Sequence, residues 1–278
     1  MHFFQENEAV YEFGKDVNKI VNIFTPYDCN KRCIFCTTKS WYKRRSRDYM
    51  KLWERNFQRI LNNKPNIIVL TGGEVFSNLD WLDNTLLRIR NSGVKCVYVN
   101  TSFIGSKADI ESYLTIIERY RGIIRGVNIS RHGKNDTIPF LETLLDITNV
   151  RINIIINDKT DINDYLANWK SHPRAELSFR EDYKKITKQK LFKGDAKVLM
   201  QLTKCKELKL FSTNYCHFCC NYTFKRNNGQ SVRYHRGTML TSMMIGSHRE
   251  HMEIILAPNG KIYTDWDKSS DGIDELLK

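Results

Sequence analysis

Residues 29–36 read Cys29-Asn30-Lys31-Arg32-Cys33-Ile34-Phe35-Cys36, three cysteines at spacing C-x3-C-x2-C. Thiolates so spaced can each hold one iron of a cubane iron–sulfur cluster, which leaves one iron without a protein ligand. A structural zinc site needs four ligands, and no His or Cys close in sequence supplies the fourth. The loop closely follows an apolar, β-rich run, 19–24, so the cysteines stand at the end of a first strand.

From that strand onward, short β-rich runs alternate with amphipathic segments. The predicted strands are 19–24, 66–71, 94–100, 123–130, 150–157 and 175–180. Between them, Trp53, Phe57, Ile60 and Leu61, then Leu79, Leu82, Leu86 and Ile89, then Ile110, Tyr113, Leu114 and Ile117 recur at spacings of three and four. Each set lies on one helical face. Gly93 and Gly122 stand where helix C-caps are expected, Pro139 suits the first turn of a fourth helix, and a fifth helix spans about Asp161 to Trp169. Six strand–helix units with strands buried on both faces predict an α/β fold with parallel pairing and helical crossovers. Periodicity alone does not separate an open doubly wound sheet from a barrel.

The second strand ends in Thr71-Gly72-Gly73-Glu74. Two glycines there let the backbone approach a ligand and expose its amides. The third ends in Val99-Asn100-Thr101-Ser102 and the fourth in Asn128-Ile129-Ser130-Arg131-His132, with Asn153 similarly placed on the fifth. An Asn or Ser at a strand end is also an ordinary turn former. Arg180 and Glu181 close the sixth strand, as substrate-side groups or as a surface pair. His132 reads as a proton shuttle or plain polar loop, and Cys96, inside a strand, as a small buried hydrophobe.

The motif C-x3-C-x-aromatic-C, with Phe35 before Cys36 and the Gly72-Gly73-Glu74 turn downstream, resembles the signature of the radical S-adenosylmethionine superfamily. The resemblance implies a partial (βα)6 TIM-like barrel over residues 1–183 with the cluster loop after the first strand. It implies a [4Fe-4S] cluster on Cys29, Cys33 and Cys36, with S-adenosylmethionine chelating the open iron and reductively cleaved to a 5'-deoxyadenosyl radical. An electron donor such as flavodoxin or ferredoxin is implied as partner. By the same resemblance, Gly72, Gly73 and Glu74 meet the methionyl amino group, Ser130 the ribose or carboxylate, and Arg131 a carboxylate, with Asn100 and Asn153 alongside.

After Lys184 the periodicity breaks, and Lys184 to Lys197 reads as a linker into a C-terminal metal-binding extension, 184–278. There Cys205, Cys216, Cys219 and Cys220 form a second cysteine group in which Cys216-x2-Cys219 has metal-ligand spacing. A second [4Fe-4S] cluster, a zinc ion completed by His217, His235, His248 or His251, and free thiols all fit these residues. The segment Ile254 to Tyr263, ILAPNGKIY, is similar to the hairpin that precedes a cluster-binding cysteine in SPASM/twitch and molybdenum-cofactor-type relatives. Here Thr264 to Asp267 replace that cysteine.

The chain has 278 residues, eight cysteines and a formal net charge of +13, with neither a secretory start nor an apolar run of membrane-spanning length. These features predict a cytoplasmic protein without membrane partners, its cysteines serving metal or catalysis rather than disulfides. Residues 184–236 carry 13 Lys and Arg against Asp195 and Glu207, a charge of +11. Such a basic segment marks a nucleotide or nucleic-acid substrate, or is merely a solvated lysine-rich surface. The loop Thr37 to Tyr49, with Trp41 and Lys43-Arg44-Arg45, reads as a substrate-access segment or a solvated basic loop. The expected function is therefore radical modification of a nucleotide or nucleic acid. The alternatives are a peptide-modifying maturase with an auxiliary cluster, and a nucleic-acid-binding protein whose clusters are structural or redox-sensing.

Overall fold

The computed structural model describes residues 20–29, 31, 33, 36, 41–42, 46–131, 137–157, 159–180, 193–215, 219–237, 242–245, 248–251, 253–263 and 266. Six strands stand where the sequence predicts them: β1 (Ile20–Phe24), β2 (Ile67–Thr71), β3 (Val97–Thr101), β4 (Ile124–Arg131), β5 (Asn149–Ile155) and β6 (Glu176–Arg180). Helices α1 (Tyr49–Asn62), α2 (Leu79–Ser92), α3 (Lys107–Arg119), α4 (Leu141–Ile147) and α5 (Ile162–Asn168) alternate with them. The six strands pair in chain order, all parallel, as helical crossovers require.

Local chemistry sets the helix limits. Asn78 caps α2 by accepting from the Trp81 amide, and Gly93 closes it in the left-handed conformation. Ser106 and Asp109 form a reciprocal capping box on α3. That helix ends at Tyr120 rather than Gly122, because the Ile123 amide turns back to the Tyr120 carbonyl at 2.9 Å. Pro139 lies just before α4, whose N-cap is Phe140.

The two faces of the sheet differ in kind. Val21, Ile23, Ile68, Leu70, Val97, Val99, Val127, Ile129, Ile152, Leu177 and Phe179 alternate onto the helix side and form one core with Trp53, Phe57, Leu82, Leu86 and Ile117. Each such side chain stabilises the fold by about 1.5–3 kcal/mol when fully buried. The other face carries Asn22, Asn128, Arg151, Asn153, Glu176, Ser178 and Arg233, all buried although polar. A flat sheet would leave that face open to water. Arg180 on β6 nevertheless acts electrostatically on Glu253 of β12 (Glu253–Leu256), six places away in the sheet order. Six spacings of about 4.8 Å would put them about 29 Å apart in a flat sheet, well beyond a Debye length of about 8 Å. The sheet therefore curls, and its polar face lines the inside of the curve.

The C-terminal part contributes α6 (Lys193–Lys204), β7 (Leu208–Tyr215), β8 (Cys219–Arg226), β9 (Ser231–Gly237), β10 (Ser242–Ile245), β11 (His248–His251), β12 and β13 (Ile262–Tyr263). It extends both edges of the same sheet: β9 pairs parallel with β6, and β12 pairs parallel with β1. The resulting order is β13-β12-β1-β2-β3-β4-β5-β6-β9-β8-β7, with β10 and β11 as a separate hairpin. A boundary at 183/184 thus divides the sequence but crosses one continuous sheet. Helix α6 takes the end of the stretch that reads as a linker, since Val198 and Leu202, four apart, are fully buried.

The ILAPNGKIY hairpin, β12–β13, packs on α1. A Cβ on Gly260, whose φ is +81°, would stand 2.6 Å from the Trp53 nitrogen, and Asn56 Nδ2 donates to the Gly260 carbonyl at 2.7 Å. Among the described residues, no helix is long and apolar enough to cross a membrane.

Candidate functional site

The cysteine loop and the Gly-Gly-Glu turn meet at the C-terminal ends of β1 and β2. Gly72 has φ +99°, and a Cβ there would strike the Phe24 ring at 2.4 Å, so only glycine fits. A Cβ on Gly73 would lie 2.6 Å from Thr25 Oγ1 and 3.4 Å from the Cys29 Cβ. The Gly73 amide donates to Thr25 Oγ1 at 3.3 Å, and Thr25 Oγ1 is also 3.1 Å from the Tyr42 hydroxyl. Tyr27 Oη donates to the Val75 carbonyl at 2.9 Å. The backbone amides of Lys31 and Glu74 both donate to Cys29 Sγ.

Cys29, Cys33 and Cys36 are half-buried free thiols. Burial pushes Cys29 and Cys33 up, the neighbouring amides pull Cys29 down, and Cys36 raises both. Added positive charge, which the irons of a cluster supply, favours the thiolate form of such buried thiols. The donor set fits such a cluster. Among the described residues, no three His, Cys, Asp or Glu side chains group to hold a single metal ion; a cubane spreads its thiolates, one to each iron.

Glu74 is engaged internally. Its carboxylate, 4% exposed, accepts from the Phe76 amide at 3.3 Å, Thr101 Oγ1 at 2.5 Å, and the Ser102 amide and Oγ at 2.8 and 2.5 Å. It ties the end of β2 to the end of β3. Asn100 is likewise engaged, donating to Thr71 Oγ1 at 3.1 Å and accepting from Asn128 Nδ2 at 2.7 Å. Ser130, Asn153 and Ser178 stand side by side in register on the polar face. Arg131 falls on the opposite face: its guanidinium donates to the Ser102 carbonyl, and to the Thr137 and Ser130 carbonyls at 3.3 and 3.4 Å. That side chain braces the loops after β3 and β4.

Residues other than the expected S-adenosylmethionine contacts form the rest of the polar face, among them Arg151, Glu176, Arg233 and Glu253, which the sequence reading did not single out. Arg151 Nε donates to Glu176 Oε1 at 2.6 Å, and Arg233 Nε lies 3.5 Å from the same oxygen. Burial, with Arg233 and Arg180 nearby and Glu176 opposing, holds Arg151 down to about 9, still charged at neutral pH. His235 Nδ1 lies 2.6 Å from Asn221 Oδ1, and burial together with Arg180, Arg233 and Arg151 pushes the imidazole well below its usual range. Glu253 accepts from Asn22 Nδ2 and Trp266 Nε1, both at 2.9 Å, while burial pushes its carboxyl up. The signal was present as polar residues at alternate positions of β-rich runs, as in Arg151-Ile152-Asn153-Ile154.

Trp41 is buried rather than part of an open access loop. It stacks on Phe24 at 5.1 Å and meets Tyr263 and Trp266 at 5.2 and 6.3 Å, filling the corner between β1 and β12–β13.

Cys205 stands apart from the rest of the second cysteine group. Leu208 pairs with Arg226 and Tyr215 with Cys220, so Cys205 precedes one end of the β7–β8 hairpin while Cys219 and Cys220 stand at the other. Seven strand steps of about 3.3 Å separate these ends by about 23 Å, too far for a shared ion, and Cys205 packs against the core. An eleven-residue spacing becomes the length of a strand. Cys216, like His132, Glu181 and Lys43-Arg44-Arg45, lies outside the described residues.

Where it is described, the basic segment is split: Lys197, Lys204, Lys206 and Lys209 are exposed, whereas its arginines turn inward. Arg226 and Arg233 are buried. Arg226 binds Glu207 Oε2 at 2.7 and 3.0 Å and the Leu166 carbonyl at 2.7 Å, and Lys225 donates to Ser231 Oγ at 2.5 Å.

No protein-family profile matches the chain, and no curated protein matches it. Among solved structures it is similar to Streptococcus suis SuiB at 17% identity, covering 66% of this chain and 45% of SuiB, with TM-score 0.45. SuiB bound to the precursor peptide SuiA aligns at 17% identity over 66% of this chain and 45% of that one, TM-score 0.47. SuiB bound to S-adenosylmethionine aligns at 18% over 66% and 47%, TM-score 0.46. The chain therefore spans less than half the length of these structures.

Proposed function

We propose that this chain is a radical S-adenosylmethionine enzyme acting on a peptide, with a partial barrel formed by the curled sheet. The observation that carries the chemistry is the contact between Cys29 and the Gly73–Glu74 turn, which brings the two sequence motifs together at one end of the sheet. When bound, a [4Fe-4S] cluster with S-adenosylmethionine supplies one-electron cleavage of the sulfonium and a hydrogen-abstracting 5'-deoxyadenosyl radical. Cys29, Cys33 and Cys36 hold the cluster. The Gly72–Gly73 backbone takes the methionyl amino group. Glu74 positions that backbone, since its carboxylate already accepts four hydrogen bonds from protein donors. Ser130 and Asn153, on the polar face, reach the nucleoside side. What supports a peptide over a nucleic acid is that the guanidiniums of the basic segment that are described, Arg226 and Arg233, are buried and engaged with Glu207 and Glu176, so that lysines such as Lys197, Lys204, Lys206 and Lys209 supply its exposed charge.

Electron paramagnetic resonance of the anaerobically reconstituted, dithionite-reduced protein tests this reading. The expected result is a [4Fe-4S] signal whose g-values shift when S-adenosylmethionine is added. A cluster signal indifferent to S-adenosylmethionine would instead indicate a structural or redox-sensing cluster.

A further inference from the structure

Two consecutive residues beyond the cysteines pack on two consecutive residues at the end of β1, and these in turn on the two glycines. Trp41 stacks on the Phe24 ring at 5.1 Å and 10°, and the same ring lies 2.4 Å from where a Cβ on Gly72 would stand. Tyr42 Oη is 3.1 Å from Thr25 Oγ1, which accepts from the Gly73 amide at 3.3 Å. The same Tyr42 oxygen is 3.1 Å from where a Cβ on Gly73 would stand. Glu74 braces the glycine turn from the β3 side, and this pair braces it from the β1 side.

The Thr25 hydroxyl is the node of this brace. A hydroxyl has one proton and two acceptor sites. The proton goes to the Tyr27 carbonyl at 3.3 Å, so the Gly73 N–H and the Tyr42 O–H both donate to Thr25 Oγ1. One oxygen of a fully buried residue thus joins the end of β1, the approach to Cys29, the glycine turn and the chain beyond the cysteines. Trp41 anchors its neighbour Tyr42, since its buried ring also meets Tyr263 of the β12–β13 hairpin edge-on and Trp266 at a tilt. A methionyl amino group donates hydrogen bonds, so the turn serves it through carbonyl oxygens. Every peptide unit here is trans and planar. Fixing the Gly73 N–H therefore fixes the Gly72 carbonyl of the same plane.

Resting on the enzyme reading above, we propose that Tyr42 is a positioning residue for S-adenosylmethionine. By donating to Thr25 Oγ1 it holds the Gly72–Gly73 peptide, which takes the methionyl amino group, in place beside Cys29. Trp41, wedged between Phe24 and the C-terminal hairpin, makes the placement of that hydroxyl depend on β12–β13. Residues that read from sequence as part of a substrate-access segment are in this way part of the cofactor site's support. Tyr42 acts through Thr25, so the two side chains form one functional unit rather than two independent contacts.

The test titrates S-adenosylmethionine into the reconstituted, reduced holoenzyme and reads its affinity from the g-value shift of the cluster signal. Wild type is compared with Tyr42→Phe, Thr25→Val, Thr25→Ser and the Tyr42→Phe/Thr25→Val double variant. Tyr42→Phe keeps the ring and loses one hydrogen bond, so it is expected to retain the wild-type iron and sulfide content while binding S-adenosylmethionine about three- to tenfold more weakly. Thr25→Val is expected to weaken binding further, because the Gly73 amide also loses its acceptor. Thr25→Ser, which keeps the hydroxyl, is expected to match wild type. The double variant is expected to be no weaker than Thr25→Val alone, since Tyr42 then has nothing to act through. An affinity unchanged in Tyr42→Phe, or losses that add in the double variant, overturns the proposal. Loss of iron and sulfide from Tyr42→Phe also overturns it and assigns the tyrosine to the cysteine loop instead. The wild type separates the two levels: a cluster signal indifferent to S-adenosylmethionine overturns the enzyme reading, whereas a wild-type shift reproduced at equal affinity by Tyr42→Phe overturns this inference alone.

Discussion

Replacing Glu74 with Ala should weaken the whole end of the sheet, and the size of the effect follows from its hydrogen bonds. The Phe76 and Ser102 amides and the Thr101 and Ser102 hydroxyls would lose their acceptor together. A buried donor left unsatisfied costs about 1–3 kcal/mol. The two hydroxyls can rotate toward other acceptors, so the fixed amides dominate, and a loss of about 4 kcal/mol is expected against a total stability of about 5–15 kcal/mol. At about 2–4 °C per kcal/mol for a chain of this size class, the melting temperature should fall by about 8–16 °C. Glu74→Gln keeps the volume and one acceptor oxygen, so it should fall by less than half as much. Urea titration and thermal melting of the two variants beside the wild type give the comparison. A Glu74→Ala protein within about 1 kcal/mol of wild type would refute the view that this carboxylate fastens β2 to β3.

Other perturbations separate the remaining parts of the account. His235, held below its ordinary 6.5 by burial and three arginines, stays unprotonated in the fold while the unfolded chain takes up a proton. Its contribution to stability is therefore lost as pH falls below 6.5 and is restored as pH rises, with a limiting slope of about 1.4 kcal/mol per pH unit. Glu253, raised by burial, has the opposite sign above 4.5, so the comparison of wild type with His235→Gln by urea titration from pH 7 to 5 is what isolates the histidine; equal slopes would contradict its burial. Gly260→Ala must place a Cβ against the backbone of Trp53 and Tyr49 at positive φ, costing about 2–4 kcal/mol. Hydrogen exchange should then show faster opening of Ile254–Leu256, and unchanged protection would contradict the docking of β12–β13 on α1. In a Cys29, Cys33, Cys36 triple Ala background, Cys205→Ala should leave any residual iron or zinc unchanged by elemental analysis, and its loss would refute the separation of Cys205 from Cys219.

The strand–helix alternation was legible because apolar residues at spacings of three and four recur in three blocks between Trp53 and Ile117, with β-rich runs between them. The meeting of Cys29 with Gly73 was legible as two motifs at successive strand ends. Partner choice across long separations was not. Glu253 pairs in register with Ile20, and Val232 with Leu177; neither has a local signal, so the closing strands read as an extension. The alternation of Arg151, Asn153, Glu176 and Ser178 with apolar residues was visible, but of these four only Asn153 stood out as a site residue, because strands buried on both faces are expected to be largely apolar. Cys205 misled because sequence spacing counts residues, whereas an intervening strand stretches them to about 3.3 Å each.

The central claim is tested most directly by incubating the anaerobically reconstituted protein with S-adenosylmethionine and dithionite and quantifying products by liquid chromatography. The account predicts stoichiometric 5'-deoxyadenosine and methionine from the wild type and none from the Cys29, Cys33, Cys36 triple Ala variant. Wild-type protein that binds iron and sulfide yet releases no 5'-deoxyadenosine, or a triple variant that releases as much as wild type, would contradict it.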